Sequence, residues 1–137
     1  MKIFHVLSPV LILSLCAGCA STPDVVPAKS QLELRQMQTR TYDTLDRQRT
    51  LRSVIATMQD LGFTVDEANP GLGVVTGTRL HAFRMRMTVT VREMEGERIA
   101  VRANARIDEF PVDEAATYQD FFVALDKAMY LTANNVD

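Results

Sequence analysis

The run Phe83-Arg84-Met85-Arg86-Met87-Thr88-Val89-Thr90-Val91-Arg92 alternates apolar and polar residues almost one for one. After a Glu95-Gly96 turn the same pattern returns in Arg98-Ile99-Ala100-Val101-Arg102-Ala103-Asn104-Ala105-Arg106-Ile107. Side chains on a strand point alternately to its two faces, so a period of two assigns one face to a core and the other to water. The reading is a pair of neighbouring antiparallel strands. Phe83, Met85, Met87, Val89 and Val91 face inward with Ile99, Val101, Ala103, Ala105 and Ile107, and six arginines, Arg84, Arg86, Arg92, Arg98, Arg102 and Arg106, face out.

Upstream, Phe63 and Val65 alternate with Thr64 and Asp66, Asn69-Pro70-Gly71 marks a turn, and a return strand runs from about Leu72 to Arg79. Gly73 and Gly77 within it suggest a bulge or a close backbone approach. Before this hairpin, Leu51, Val54, Ile55, Met58 and Leu61 recur at helical spacing, with Asp43, Thr44 and Asp46 as N-cap candidates and Gly62 placed to end the helix. Gln36 to Tyr42 alternates weakly and reads as an edge strand. Downstream, Pro111 ends the sheet, Asp113 can cap, and Tyr118, Phe121, Phe122, Leu125, Ala128 and Met129 form the apolar stripe of a closing helix. Small Ala103 and Ala105 leave room for the Phe pair. The order predicts an α+β, two-layer sandwich: a mainly antiparallel sheet, with a four-strand meander and an N-terminal strand, carrying two helices on one face.

The 137 residues suit one domain preceded by a targeting segment. Met1 and Lys2 give a positive start, and Ile3 to Leu15 is apolar over a length typical of an export signal and too short for a permanent span. Cys16-Ala17-Gly18-Cys19 then resembles a lipobox, in which small residues precede a cysteine that receives diacylglycerol; Cys16 stands where leucine is usual. The expected organisation is a signal peptide over 1–18, a lipidated N-terminus and flexible tether over 19–33, and one periplasm-facing domain over 34–137. Several acyl chains on Cys19 would anchor far more firmly than one. The resemblance implies the outer membrane, because Ala20 stands where an Asp would favour inner-membrane retention. Neither of the two cysteines lies in the expected domain, which excludes a disulfide framework there. With 15 Lys and Arg against 17 Asp and Glu, the net charge of −2 argues against a nucleic-acid partner.

Six arginines on one open face form the candidate partner-binding surface, since guanidinium groups grip carboxylates and phosphates through paired hydrogen bonds. The plainer alternative is a solvated face whose arginines pair with Glu93, Glu95, Glu97 or cross-strand neighbours. His81 has no second histidine in the domain, so neither a metal pair nor a nucleophile and base assembles around it. Asp108, Glu109, Asp113 and Glu114 lack the spacing of a calcium loop, and Gly71-Leu72-Gly73 opens a strand where a phosphate loop would open a helix. Met58, Met85, Met87 and Met129 fall on core positions, as packing residues rather than metal ligands. No catalytic residue, metal or cofactor is assigned. The expected function is a noncatalytic envelope binding or accessory module for a protein partner or an anionic envelope component. The alternative is an envelope enzyme with a shallow site, which a pocket joining His81 to acidic residues would favour.

Arg40-Thr41-Tyr42-Asp43-Thr44, Leu51-Arg52, Gln59-Asp60-Leu61-Gly62-Phe63, Gly73-Val74-Val75-Thr76 and Arg86-Met87-Thr88-Val89-Thr90-Val91 together resemble a group of small proteobacterial outer-membrane lipoproteins. That resemblance implies a localisation and a lipid anchor, and no catalytic residue. A looser similarity, of architecture alone, links the domain to BamC-type lipoprotein domains and to a role in outer-membrane assembly. An efflux complex is an equally compatible setting.

Overall fold

The structure, a computed structural model, describes residues 29–134. The expected signal peptide, the expected lipidation site Cys19 and the expected tether as far as residue 28 lie outside the described residues. Helix α1 (Gln31–Gln38) leads directly into strand β1 (Thr39–Tyr42), followed by α2 (Arg47–Asp60), β2 (Thr64–Asn69), β3 (Val74–Leu80), β4 (Arg84–Met94), β5 (Arg98–Ile107), the two-residue β6 (Phe110–Pro111) and α3 (Ala115–Asn134). The strands form one antiparallel sheet in the order β1-β5-β4-β3-β2, with β6 on the far part of β5. The fold is the expected α+β sandwich, and β2 to β5 are its meander.

The alternation in β4 and β5 decides which face is covered. Met87, Val89 and Val91 on β4 and Ile99, Val101, Ala103 and Ala105 on β5 are buried against α2 and α3. From α2 come Leu51, Val54 and Met58, and from α3 Tyr118, Phe121, Phe122 and Leu125. The two phenylalanine rings meet edge to face at 5.2 Å. Phe83 departs from the reading: it precedes β4 and is 66% exposed. Its alternation with Met85 is real in sequence, but the helices do not extend over the turn.

Helix α2 begins where the Asp46 carboxylate accepts the Arg49 N–H at 2.8 Å. It ends in a Schellman motif: Phe63 N–H donates to the Met58 carbonyl, Gly62 N–H donates to that of Gln59, and Gly62 has φ of 83°. Arg79 closes that end, donating to the Leu61 carbonyl at 3.2 Å and lying over the Phe63 ring. The bulge suggested by the glycines falls on the partner strand instead, as a register shift between Val65 and Glu67.

Gln36 to Gln38 belongs to a helix, and only Thr39 to Tyr42 forms the edge strand. Ser30 and Glu33 make a capping box, the Ser30 hydroxyl accepting Glu33 N–H at 3.2 Å and the Glu33 carboxylate accepting Ser30 N–H at 2.8 Å. Helical residues therefore begin at Gln31, inside the stretch read as tether. Strand β1 is fastened to α3 through Asp126, which accepts hydrogen bonds from Arg40 at 2.5 Å and from the Tyr42 hydroxyl at 2.8 Å. Burial, reinforced by this carboxylate, holds the Tyr42 hydroxyl protonated well above its ordinary range.

Candidate binding face

The register of β4 against β5 places the six arginines on the side opposite the helices. Arg86 stands opposite Arg106, Thr90 opposite Arg102, Arg92 opposite Ala100, and Met94 opposite Arg98. All six arginines are exposed. Thr76, Thr88 and Asn104 form a polar row between them, with the two hydroxyls 3.3 Å apart. No carboxylate interrupts the outward positions of β4 and β5 from Arg84 to Arg106.

Two of the six are tied down. Arg102 donates to the Gln38 amide oxygen at 3.3 Å, and the buried Gln38 in turn donates to the Tyr118 hydroxyl at 3.1 Å. That hydroxyl donates to the Val112 carbonyl and accepts from Ala105 N–H, so Arg102 is coupled through α1 to the core. Arg106 donates to the Glu109 carbonyl at 2.5 Å and lies 3.6 Å from its carboxylate. Among the described residues, the side chains of Arg84, Arg86, Arg92 and Arg98 make no hydrogen bond or ion pair, and neither do those of Glu93, Glu95 and Glu97. The pairing expected of a merely solvated face is thus missing from its middle.

The contrast with the helix-covered side is instructive. There Arg40 holds Asp126, Arg47 donates to the Gly71 carbonyl at 3.0 Å, and Arg79 caps α2. Like charges placed directly across a strand pair are unfavourable. The Arg86–Arg106 pair carries that cost, relieved on one side where Arg106 lies against the Glu109 carboxylate.

A depression of about 500 Å³ lies on this face, lined by Arg86, Arg92, Arg102 and Arg106 with Thr88 and Asn104 among its floor residues. A second, of about 700 Å³, opens beside it where Asp66, Arg84, Asp108 and Glu109 meet, and Asp66 there accepts the Thr78 hydroxyl at 2.6 Å. His81 lines neither. Among the described residues no three His, Cys, Asp or Glu side chains converge as metal ligands, and Asp108, Glu109, Asp113 and Glu114 form no such group. Met58 and Met87 are buried, and Met85 and Met129 pack against the core. Gln38, invisible as a site residue in sequence, owes its role to contacts 64 and 80 residues away. No family model matches the chain, and no curated protein matches its sequence.

Proposed function

We propose that the chain is a noncatalytic binding module of the bacterial envelope, lipidated at Cys19 and held in the outer membrane facing the periplasm, whose β4–β5 face captures an acidic partner. The lipobox-like Cys16-Ala17-Gly18-Cys19 behind an apolar leader supports the address, as does the resemblance to small outer-membrane lipoproteins. An accessory place in outer-membrane assembly or in an efflux complex fits such a module.

The observation that carries the reading is the open row of unpaired guanidinium groups. Arg86 and Arg92 are six residues apart on one strand, about 20 Å at strand rise. That spread suits an extended acidic segment of an envelope protein better than one small anion, and the Thr and Asn side chains between supply hydrogen bonds. Charge-assisted pairs of this kind are among the stronger polar contacts and favour Arg over Lys.

A ten-residue poly-glutamate peptide is a defined probe. Wild type should bind it with an affinity that falls steeply with salt, and Arg84→Ser/Arg86→Ser/Arg92→Ser should weaken binding at least about tenfold, equivalent to about 1.4 kcal/mol. Thermal unfolding should stay nearly unchanged, because these exposed side chains make no hydrogen bond or ion pair in the fold. Equal binding by the variant contradicts the proposal, and a marked preference for inorganic polyphosphate would reassign the face to a phosphate-bearing component. Incorporation of labelled palmitate into wild type but not Cys19→Ala tests the anchor.

A further inference from the structure

The depression of about 700 Å³ beside the arginine row differs from that row in carrying charges of both signs: Asp66, Arg84, Arg86, Asp108 and Glu109 line it together with Thr78. Its place in the fold follows from the register. Thr64 pairs with Thr78, Thr78 with Arg86, and Leu80 with Arg84, so β2, β3 and β4 turn these side chains to the side away from the helices.

Two departures from regular strand bring a carboxylate to each wall. Val65 pairs with Gly77 and Glu67 with Thr76, which leaves Asp66 as the extra residue of the β2 bulge, a feature that re-aims a side chain. Its Oδ2 accepts the Thr78 hydroxyl at 2.6 Å. At the other wall Asp108 follows β5 with φ of 51°, and its N–H donates to the Arg84 carbonyl at 3.1 Å. Arg84 and Arg86 stand between the walls on β4. At strand spacing, β2 lies about 10 Å from β4, and β5 about 5 Å from it on the other side.

These charges do not neutralise one another. Among the described residues the Asp108 carboxylate, Asp66 Oδ1 and the two guanidinium groups make no hydrogen bond or ion pair. Glu109 is met by Arg106 at 3.6 Å. Two carboxylates and two guanidinium groups are left around one hollow. The walls repel a simple anion and the centre repels a simple cation, whereas a molecule bearing both charges finds a partner for each.

We propose that this depression binds a small zwitterion with a free ammonium and a free carboxylate: an amino acid, or a short peptide unblocked at both ends. The carboxylate is taken by Arg84 and Arg86 through charge-assisted hydrogen bonds, and the ammonium donates to Asp66 Oδ1 or to Asp108. Leu80, 74% exposed and also lining the hollow, offers apolar contact to a ligand side chain. The volume lies in the usual range of small-ligand sites. The site stands beside the acidic-partner reading and does not depend on it, because it adds ammonium recognition that the arginine row lacks.

The test titrates the full chain with alanine and with trialanine, followed by the amide resonances of Thr78 and Asp108. Saturable movement by either is expected, and the tighter of the two identifies the source as an amino acid or a peptide. Acetylating the amine or amidating the carboxyl of that ligand should each weaken binding at least about tenfold, the scale of one lost charge-assisted hydrogen bond. Asp66→Asn/Asp108→Asn should erase the penalty for acetylation alone, and Arg84→Ser/Arg86→Ser the penalty for amidation alone. Both asparagines suit the fold, since one keeps an oxygen for the Thr78 hydroxyl and the other tolerates a left-handed backbone. Absence of saturable movement with both ligands, or equal binding of blocked and unblocked forms by wild type, overturns the site. Loss of poly-glutamate binding with these responses intact strikes the acidic partner and leaves the zwitterion site standing.

Discussion

At Gly77 a Cβ would lie 2.8 Å from Met58 Cε, 2.9 Å from the Thr64 carbonyl oxygen and 3.4 Å from Phe63 Cβ. The methionine end can move, but the carbonyl belongs to the β2 backbone and the phenylalanine closes the α2 terminus. Gly77→Ala should therefore destabilise by about 1–3 kcal/mol, the usual cost of forcing a methyl into a packed site. Gly71→Ala, whose Cβ would meet only the Asn69 side-chain oxygen at 3.4 Å, should change little. Thermal unfolding of the two variants checks this, and equal midpoints would show that β3 yields at Gly77. That a backbone approaches here is legible from a glycine within a strand pattern. That Met58 and Thr64 make the approach is not, because it depends on how α2 lands on the sheet. Thr57 is similar: its Oγ1 is buried without a hydrogen-bond partner among the described residues, and nothing in its neighbours forecasts that.

Among the elements, the strongly periodic ones declared themselves. Helix α2 shows a five-residue apolar stripe with a cap at each end, and β4 and β5 show strict alternation, so tertiary packing had only to agree with local pattern. Helix α1 was hidden because Leu32, Leu34 and Met37 make a thin stripe among glutamines, and Pro27 and the small residues before it read as linker. Its signal is the S-x-x-E spacing from Ser30 to Glu33, a capping box that needs no apolar face to be recognised. Hydrogen bonds from the Ser30 backbone N–H, then from its hydroxyl, hold the Glu33 carboxyl below its ordinary range. A carboxyl depressed in the folded state contributes stability above its unfolded pKa, and that contribution disappears as pH falls through the folded value. Carbon chemical shifts of residues 31–36 should thus move toward coil on acidification, with a midpoint below the approximately 4.3 of an unstructured glutamate. Glu33→Gln should abolish that titration. A midpoint at or above the unstructured value would mean the box does not form in solution.

Across the whole molecule, two features divide the labour. The helices cover one side of the sheet, where the arginines that reach in are engaged with a carboxylate or a carbonyl, and the other side is left open and positively charged. The direction of the six arginines was readable because a two-residue period leaves no freedom about which face a side chain takes. Their state of pairing was not, since Glu93, Glu95 and Glu97 are near in sequence but lie toward or within the β4–β5 turn, beyond the middle of the face. The coupling of Arg102 through Gln38 to Tyr118 was equally out of reach, because the three residues come from β5, α1 and α3.

The open face as the docking surface is tested most directly by photocrosslinking in intact cells, with a photoreactive side chain placed singly at Thr88, at Asn104, or at Ala56 on the exposed side of α2. The account predicts that positions 88 and 104 yield the same adduct, that position 56 does not, and that Arg84→Ser/Arg86→Ser/Arg92→Ser removes it while the protein stays folded. An adduct formed from position 56 alone, or one at 88 that persists without the arginines, would contradict it.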